Sequence, residues 1–146
     1  MPISSIHSSK TNNMKHLFHI LTLAIILSAC QTPLDKRIEQ EAREYTEKHC
    51  PNWIDACTRL DSTTYDIATR TYTYWYCVTG AADSDDYFST IQADSLLSRQ
   101  RFAQALRNNP DLKQTLEAKI NICYRYRSEQ TQQVRFSITV TPEDYQ

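Results

Sequence analysis

The sequence predicts an α+β domain: an antiparallel four-stranded sheet with helices packed on one face, its elements in the order αββαββ. Three observations carry this. Apolar residues recur every three or four positions over "LDKRIEQEAREYTEKHCP", which marks an amphipathic helix. Tyr, Thr, Trp, Val and Ile alternate with period two in two separate pairs of stretches, as half-buried strands do. A helical segment precedes each pair.

In the first helix, about 34–49, Leu34, Ile38, Ala42, Tyr45 and His49 share one face. Lys48 and His49 fall in its last turn, where the helix dipole favours positive charge, and Pro51 ends it. "ACTRLDSTTYDIATRTYTYWYCVTG" then reads as two strands, about 57–65 and 71–79, joined by a turn at Asp66–Arg70. In the second, Tyr72, Tyr74, Tyr76 and Val78 lie on one face, with Thr71, Thr73, Trp75, Cys77 and Thr79 on the other. The acidic loop "GAADSDD" follows. Residues 84–94 suit either a short strand or a backward extension of the next helix. From Ser95, "SLLSRQRFAQALRNNP" is helical, with Leu96, Phe102, Ala105 and Leu106 toward a core. Asn109-Pro110-Asp111 has the form of a cap and first turn for a further short helix, about 110–118. "INICYRYR" and "QVRFSITVT" are the last two strands. Ile120, Ile122, Tyr124 and Tyr126, with Val134, Phe136, Ile138 and Val140, belong on the buried face. Asn, Cys, Arg, Ser and Thr are left on a wet one.

Upstream of the domain, Leu17–Ala29 is apolar but shorter than the ~20 residues that span a bilayer. Met14, Lys15 and His16 precede it and small residues follow, the layout of a secretory signal occupying 1–29. Met14 is the expected start, because "MPISSIHSSKTNN" is polar. The order Leu27-Ser28-Ala29-Cys30 resembles the lipobox of bacterial lipoproteins. That resemblance implies cleavage before Cys30, a diacylglycerol on its thiol and an acylated new N-terminus. Residues 30–34 then serve as anchor and short tether, and 35–146 as the domain. Four tether residues reach less than about 20 Å, so the domain is expected to work close to the membrane.

Removing 29 of 146 residues leaves 117, enough for one domain. Lys10 and Lys15 leave with the leader, so 14 basic and 17 acidic groups remain, a net charge near −3. That balance, without a clustered basic face, excludes a nucleic-acid binder. All nine tyrosines stay, with a single glycine, Gly80. With Cys30 acylated, Cys50, Cys57, Cys77 and Cys123 remain. An even number in an exported chain reads as a disulfide framework with three possible pairings. Free buried thiols are the alternative, and the spacing is too wide for a dedicated metal site. Cys77 and Cys123 fall on the wet face of strands expected to be neighbours, so Cys77–Cys123 is the favoured bridge, with Cys50–Cys57 closing the turn after the first helix.

No catalytic constellation is present. His49 is the only histidine after the anchor and reads as a packing or capping group at a helix end. Asp83, Asp85 and Asp86 lack the regular spacing and closing Glu of a Ca²⁺ loop and read as a solvated loop. No glycine-rich phosphate loop exists, no cofactor or metal is implied, and the chain is not expected to be an enzyme. The wet face does gather Trp75 and Thr73 with Arg125, Arg127 and Arg135. Trp and Arg are enriched at binding hot spots, which makes this face the candidate for a protein, peptide or glycan partner.

The segments "LSAC", "YTEKHCP" leading into "LDSTTYDIATRTYTYWY", and "LRNNPDLKQTLEAKINICYRYR…FSITVTPEDY" together resemble small uncharacterised lipoproteins of gut-type Gram-negative bacteria. The resemblance implies an address and a fold type rather than an activity. Gln31 stands where inner-membrane lipoproteins carry aspartate, which by that family's rule implies sorting to the outer membrane. The expected function is a lipid-anchored binding or accessory module near that membrane. The alternative is a structural subunit of an envelope complex with no ligand of its own.

Overall fold

The computed structural model describes residues 33–146. The signal segment, the proposed start at Met14 and the proposed anchor at Cys30 lie outside the described residues. Leu34–Gln146 forms one compact unit.

The elements are α1 (Leu34–His49), β1 (Asn52–Trp53), β2 (Thr58–Asp66), β3 (Thr71–Val78), α2 (Asp85–Ala93), α3 (Ser95–Arg107), α4 (Lys113–Glu117), β4 (Asn121–Ser128), β5 (Val134–Val140) and α5 (Pro142–Tyr145), with short 3₁₀ turns at Gly80–Ala82 and Pro110–Leu112. The ambiguous stretch 84–94 is helical because Ser84 caps it, accepting from the Tyr87 N–H, and Asp85 and Asp86 occupy its first turn.

The sheet departs from the expected one in two respects. It has five strands in the order β1-β2-β3-β4-β5, since the two residues Asn52 and Trp53 pair with Leu60 and Arg59. It is also mixed rather than antiparallel, because β3 and β4 run parallel. The connection between them contains three helices, long enough to carry the chain back to the starting end of the sheet, as a parallel neighbour requires.

All the helices that reach the sheet pack on one face. α1 docks on β2 through Thr63, whose Oγ1 donates to the Ala42 carbonyl at 2.7 Å and whose N–H donates to Thr46 Oγ1 at 2.7 Å. On the other side, Phe88 of α2 and Ala103 and Leu106 of α3 close over Phe136, Ile138 and Val140 of β5. Ile120 and Val140 are fully buried, each stabilising the fold by about 1.5–3 kcal/mol relative to exposure. The period-two assignment of the core face holds for Ile122, Tyr124, Phe136, Ile138 and Val140. The α3 assignment is corrected: Leu96 is 70% exposed, and Ala103 rather than Ala105 enters the core.

Two local devices lock the ends. Tyr65 Oη and Arg70 Nε both donate to Asp35 Oδ1, at 2.6 and 3.1 Å, tying α1 to the β2–β3 hairpin. The Tyr65 bond first, then Arg70, holds the Asp35 carboxyl below its ordinary pKa. Asp83 is not the solvated loop residue that its neighbours suggest. It is buried and accepts from Ser128 Oγ at 3.0 Å and from the Gln130 N–H at 2.9 Å, pinning the β4–β5 turn.

Candidate binding groove and the open sheet face

The sheet's helix-free face holds most of the residues singled out from sequence. β3 and β4 pair with Trp75 opposite Arg125, Thr73 opposite Cys123 and Cys77 opposite Arg127. The Arg125 guanidinium lies 4.9 Å from the Trp75 ring centroid, and Trp75 Nε1 donates to Thr64 Oγ1 at 3.0 Å. Asp61, at a bulge in β2, accepts from Arg59 Nε at 2.6 Å and from Arg127 Nη2 at 2.7 Å. Arg59 also stacks over Trp53 at 5.4 Å. The arginines of this face are therefore largely engaged by Asp61 and the two indoles, which weakens the face as a site for an anion.

Arg135 does not belong to that face. A register shift between Tyr126 and Arg127 leaves Arg127 opposite Val134, so the alternation of β5 inverts there. Arg135 turns to the helix side, where it pairs with Asp85 and lies over the Phe88 ring at 5.0 Å. Val134, expected in the core, is 46% exposed instead.

The predicted disulfides are not formed: Cys50, Cys57, Cys77 and Cys123 are all free thiols. Parallel pairing explains the failure of Cys77–Cys123. Cys123 sits opposite Thr73, four positions from Cys77, which is about 13 Å along a strand, where a bridge needs Cα atoms about 4.4–6.8 Å apart. Cys57 lies in the turn beyond Trp53, with Cys50 before β1; the length of the small hairpin separates them. Cys77 and Cys123 are buried small side chains on the open face. Burial holds the Cys77 thiol above its ordinary pKa, the opposite of an activated nucleophile. His49 is exposed and packs against Tyr45, with ring centroids 4.8 Å apart. No cluster of three or more His, Cys, Asp or Glu side chains that could hold a metal occurs among the described residues.

The feature that sequence reading passed over is on the helix side. α1 covers β2, and α2 and α3 cover β5, so the middle strands lie in a trough between them. Parallel pairing puts the two tyrosine stripes in phase there: Tyr74 beside Tyr124 and Tyr76 beside Tyr126, stacked at 5.4 and 4.9 Å. Phe102 of α3 stacks on Tyr124 at 4.3 Å and closes one side. What remains open is a groove of about 420 Å³. Tyr72, Tyr74 and Ile122 form its floor, Ile38, Glu41 and Tyr45 of α1 one wall, and Leu112, Thr115 and Leu116 the other, with Asn109 at the rim. Burial pushes the Tyr72 and Tyr74 phenols above their ordinary pKa, Tyr74 far above it, so both are neutral donors at physiological pH. The period-two pattern marked these tyrosines as inward-facing. Their number on two strands signals a wide aromatic floor, and the parallel register decides which rings pair and leaves Tyr72 beside Ile122.

Residues 33–136 match the family described as "Domain of unknown function (DUF8479)". The chain belongs to that family. Its fold is shared with the crystal structure described as a "putative secreted protein (PA3611)" from Pseudomonas aeruginosa, with a TM-score of 0.63 at 14% identity, covering 77% of this chain and 93% of that one. No curated protein matches the chain. Among the described residues no helix is long and apolar enough to cross a membrane.

Proposed function

We propose that this protein is a lipid-anchored outer-membrane component whose domain is a small binding module, taking its ligand in the tyrosine-floored groove rather than on the open sheet face. The observation that carries the reading is the groove itself. It is concave, within the ~300–1,000 Å³ of small-molecule sites, and apolar with a few convergent polar groups. On the open face, by contrast, Arg59 and Arg127 are engaged by Asp61 and Arg125 by Trp75. The address rests on "LSAC" after the apolar run and on Gln31. The neighbour of the same fold, described as a "putative secreted protein", supports an extracytoplasmic setting.

The groove reading is tested with Thr115→Trp, which places an indole into the cavity from the half-buried wall of α4. Ligand-observed NMR with a set of soluble aromatic and aliphatic fragments should find binders for the full-length protein that the variant loses, with its thermal unfolding unchanged. A set with no binder, or binders indifferent to Thr115→Trp, would remove the groove from consideration. The anchor is tested by fractionation: Cys30→Ser should release the protein from the membrane.

A second reading, a structural subunit without a ligand, is favoured by one observation. β5 is the outer strand of the sheet, seven residues long and without a further strand among the described residues, and Trp53 and Ile54 at the opposite edge are each 54% exposed. An open edge of that kind accepts another strand. Thr139→Pro should then disperse a complex that Thr115→Trp leaves intact.

A further inference from the structure

We propose that the groove selects a small organic cation, an ammonium group carried on an apolar or aromatic body; the inference rests on the groove being the binding site. Glu41 is the one charged side chain among the residues lining it. The 3 and 4 spacing of Ile38, Glu41 and Tyr45 puts this carboxylate on the same α1 face as the two other wall residues. Its neighbours on the helix are engaged with local partners: Glu39 with Lys36 at 3.3 Å, and Glu44 with Lys48 at 3.0 Å and Gln40 at 2.9 Å. Glu41 forms no ion pair among the described residues, although Arg37 lies one turn away in the adjoining depression. A carboxylate at the wall of an otherwise uncharged cavity favours a cation there.

The rings point the same way. Tyr72 and Tyr74 lie 5.1 Å apart with planes tilted by 48°, forming a corner rather than a flat shelf, and Tyr45 stands on the wall beside them. Aromatic rings and phenol oxygens are electron-rich, so tyrosines and a carboxylate lining one groove suit an ammonium better than an anion. An anion there would meet the Glu41 carboxylate. Ile38, Leu112, Leu116 and Ile122 line the rest, which accommodates an apolar body and disfavours a fully hydrated metal ion.

The test uses the full-length protein in neutral maltoside micelles, titrated calorimetrically with phenethylamine hydrochloride and with 2-phenylethanol, which share a body and differ in charge. The amine should bind at least about tenfold more tightly, which corresponds to ~1.4 kcal/mol. Glu41→Gln should bring the two within about twofold of each other by weakening the amine alone, and Thr115→Trp should abolish both. Equal affinities for amine and alcohol would overturn the cation proposal while leaving the groove as a binding site. An amine preference that survives Glu41→Gln would overturn the role of the carboxylate. If neither compound binds, the cation proposal is refuted, and the fragment screen decides separately whether the groove binds anything.

Discussion

Raising the pH should unfold this domain in a single steep step between about pH 11 and 12, because its central tyrosines cannot ionise in place. Burial raises the phenol pKa of Tyr74, Tyr76, Tyr124 and Tyr126, that of Tyr76 to about 12 and the other three well above the ordinary value. The unfolded chain ionises its tyrosines at about pH 10. A group whose folded pKa lies above its unfolded one contributes stability that is complete below the lower value and is lost as pH rises toward the higher. Each phenol held neutral while the unfolded chain ionises removes about 1.4 kcal/mol per pH unit above pH 10. Four together remove roughly 5–6 kcal/mol per unit, against a total stability of about 5–15 kcal/mol for a domain. Tyr65, raised to about 12 by burial and by its bond to Asp35, acts in the same direction. Tyrosinate absorbance at 295 nm and far-UV circular dichroism should change together, far more steeply than a one-proton titration. A gradual rise in absorbance centred near pH 10, with the circular dichroism unaltered, would refute the buried ladder.

The other predictions address the register, the thiols and the pinned turn. Val134→Lys should cost less than about 0.5 kcal/mol in urea unfolding, as surface changes do, because the bulge exposes that side chain. Ile138→Lys, four residues on and 6% exposed, should prevent folding; similar costs for both would mean that the inversion is absent. The intact mass of protein purified without reductant should show all four domain cysteines as thiols. Cys77 and Cys123, both buried, should react with an aromatic disulfide reagent only in denaturant. A bridge that peptide mapping assigns to Cys77–Cys123, formed with loss of two hydrogen atoms, would contradict the assigned register. Asp83→Ala strips the acceptor from buried Ser128 Oγ and from the Gln130 N–H. Charged-group hydrogen bonds are worth about 1.5–3 kcal/mol each, so equilibrium unfolding should report a loss of at least ~2 kcal/mol; a loss under ~0.5 kcal/mol would return Asp83 to the solvated loop.

Most of the helix-facing surface was legible because side-chain alternation depends on nothing but the strand's own geometry. Tyr74, Tyr124, Phe136 and Ile138 face inward whichever neighbour each strand has. Strand direction was not legible in the same way. Two hairpins separated by 42 residues can meet antiparallel or parallel, and the choice is made by where three helices deliver the chain, which no local pattern encodes. The error in the cysteine pairing follows directly. Cys77 and Cys123 share a face in either arrangement, but only the register decides whether they are opposite one another. Val134 and Arg135 were misplaced for a different reason: counting by twos carries straight through a bulge, and nothing in "QVRFSITVT" announces one. The two-residue strand β1 is too short for any alternation to register.

The same parallel pairing that separates the cysteines also creates the candidate site. Had β3 and β4 met antiparallel with Tyr72 opposite Tyr126, Tyr74 would still have faced Tyr124, but Tyr76 would have faced Ile122; the parallel register instead leaves Tyr72 beside Ile122. With Tyr74 beside Tyr124 and Tyr76 beside Tyr126, four bulky rings fill the middle of the sheet. Phe102 of α3 packs on Tyr124 from one side. What stays open lies between α1 and α4 over Tyr72, Tyr74 and Ile122. A large-to-small change in the ladder therefore has a consequence distinct from ordinary core truncation. Tyr76→Ala should cost stability like other aromatic deletions, about 3–5 kcal/mol, whereas Tyr74→Phe keeps the ring, the spacing and the stability and removes only the hydroxyl. If the groove uses that phenol as a polar contact, Tyr74→Phe lowers fragment affinity without moving the unfolding midpoint. If the ladder serves packing alone, affinity and midpoint both stay where they were.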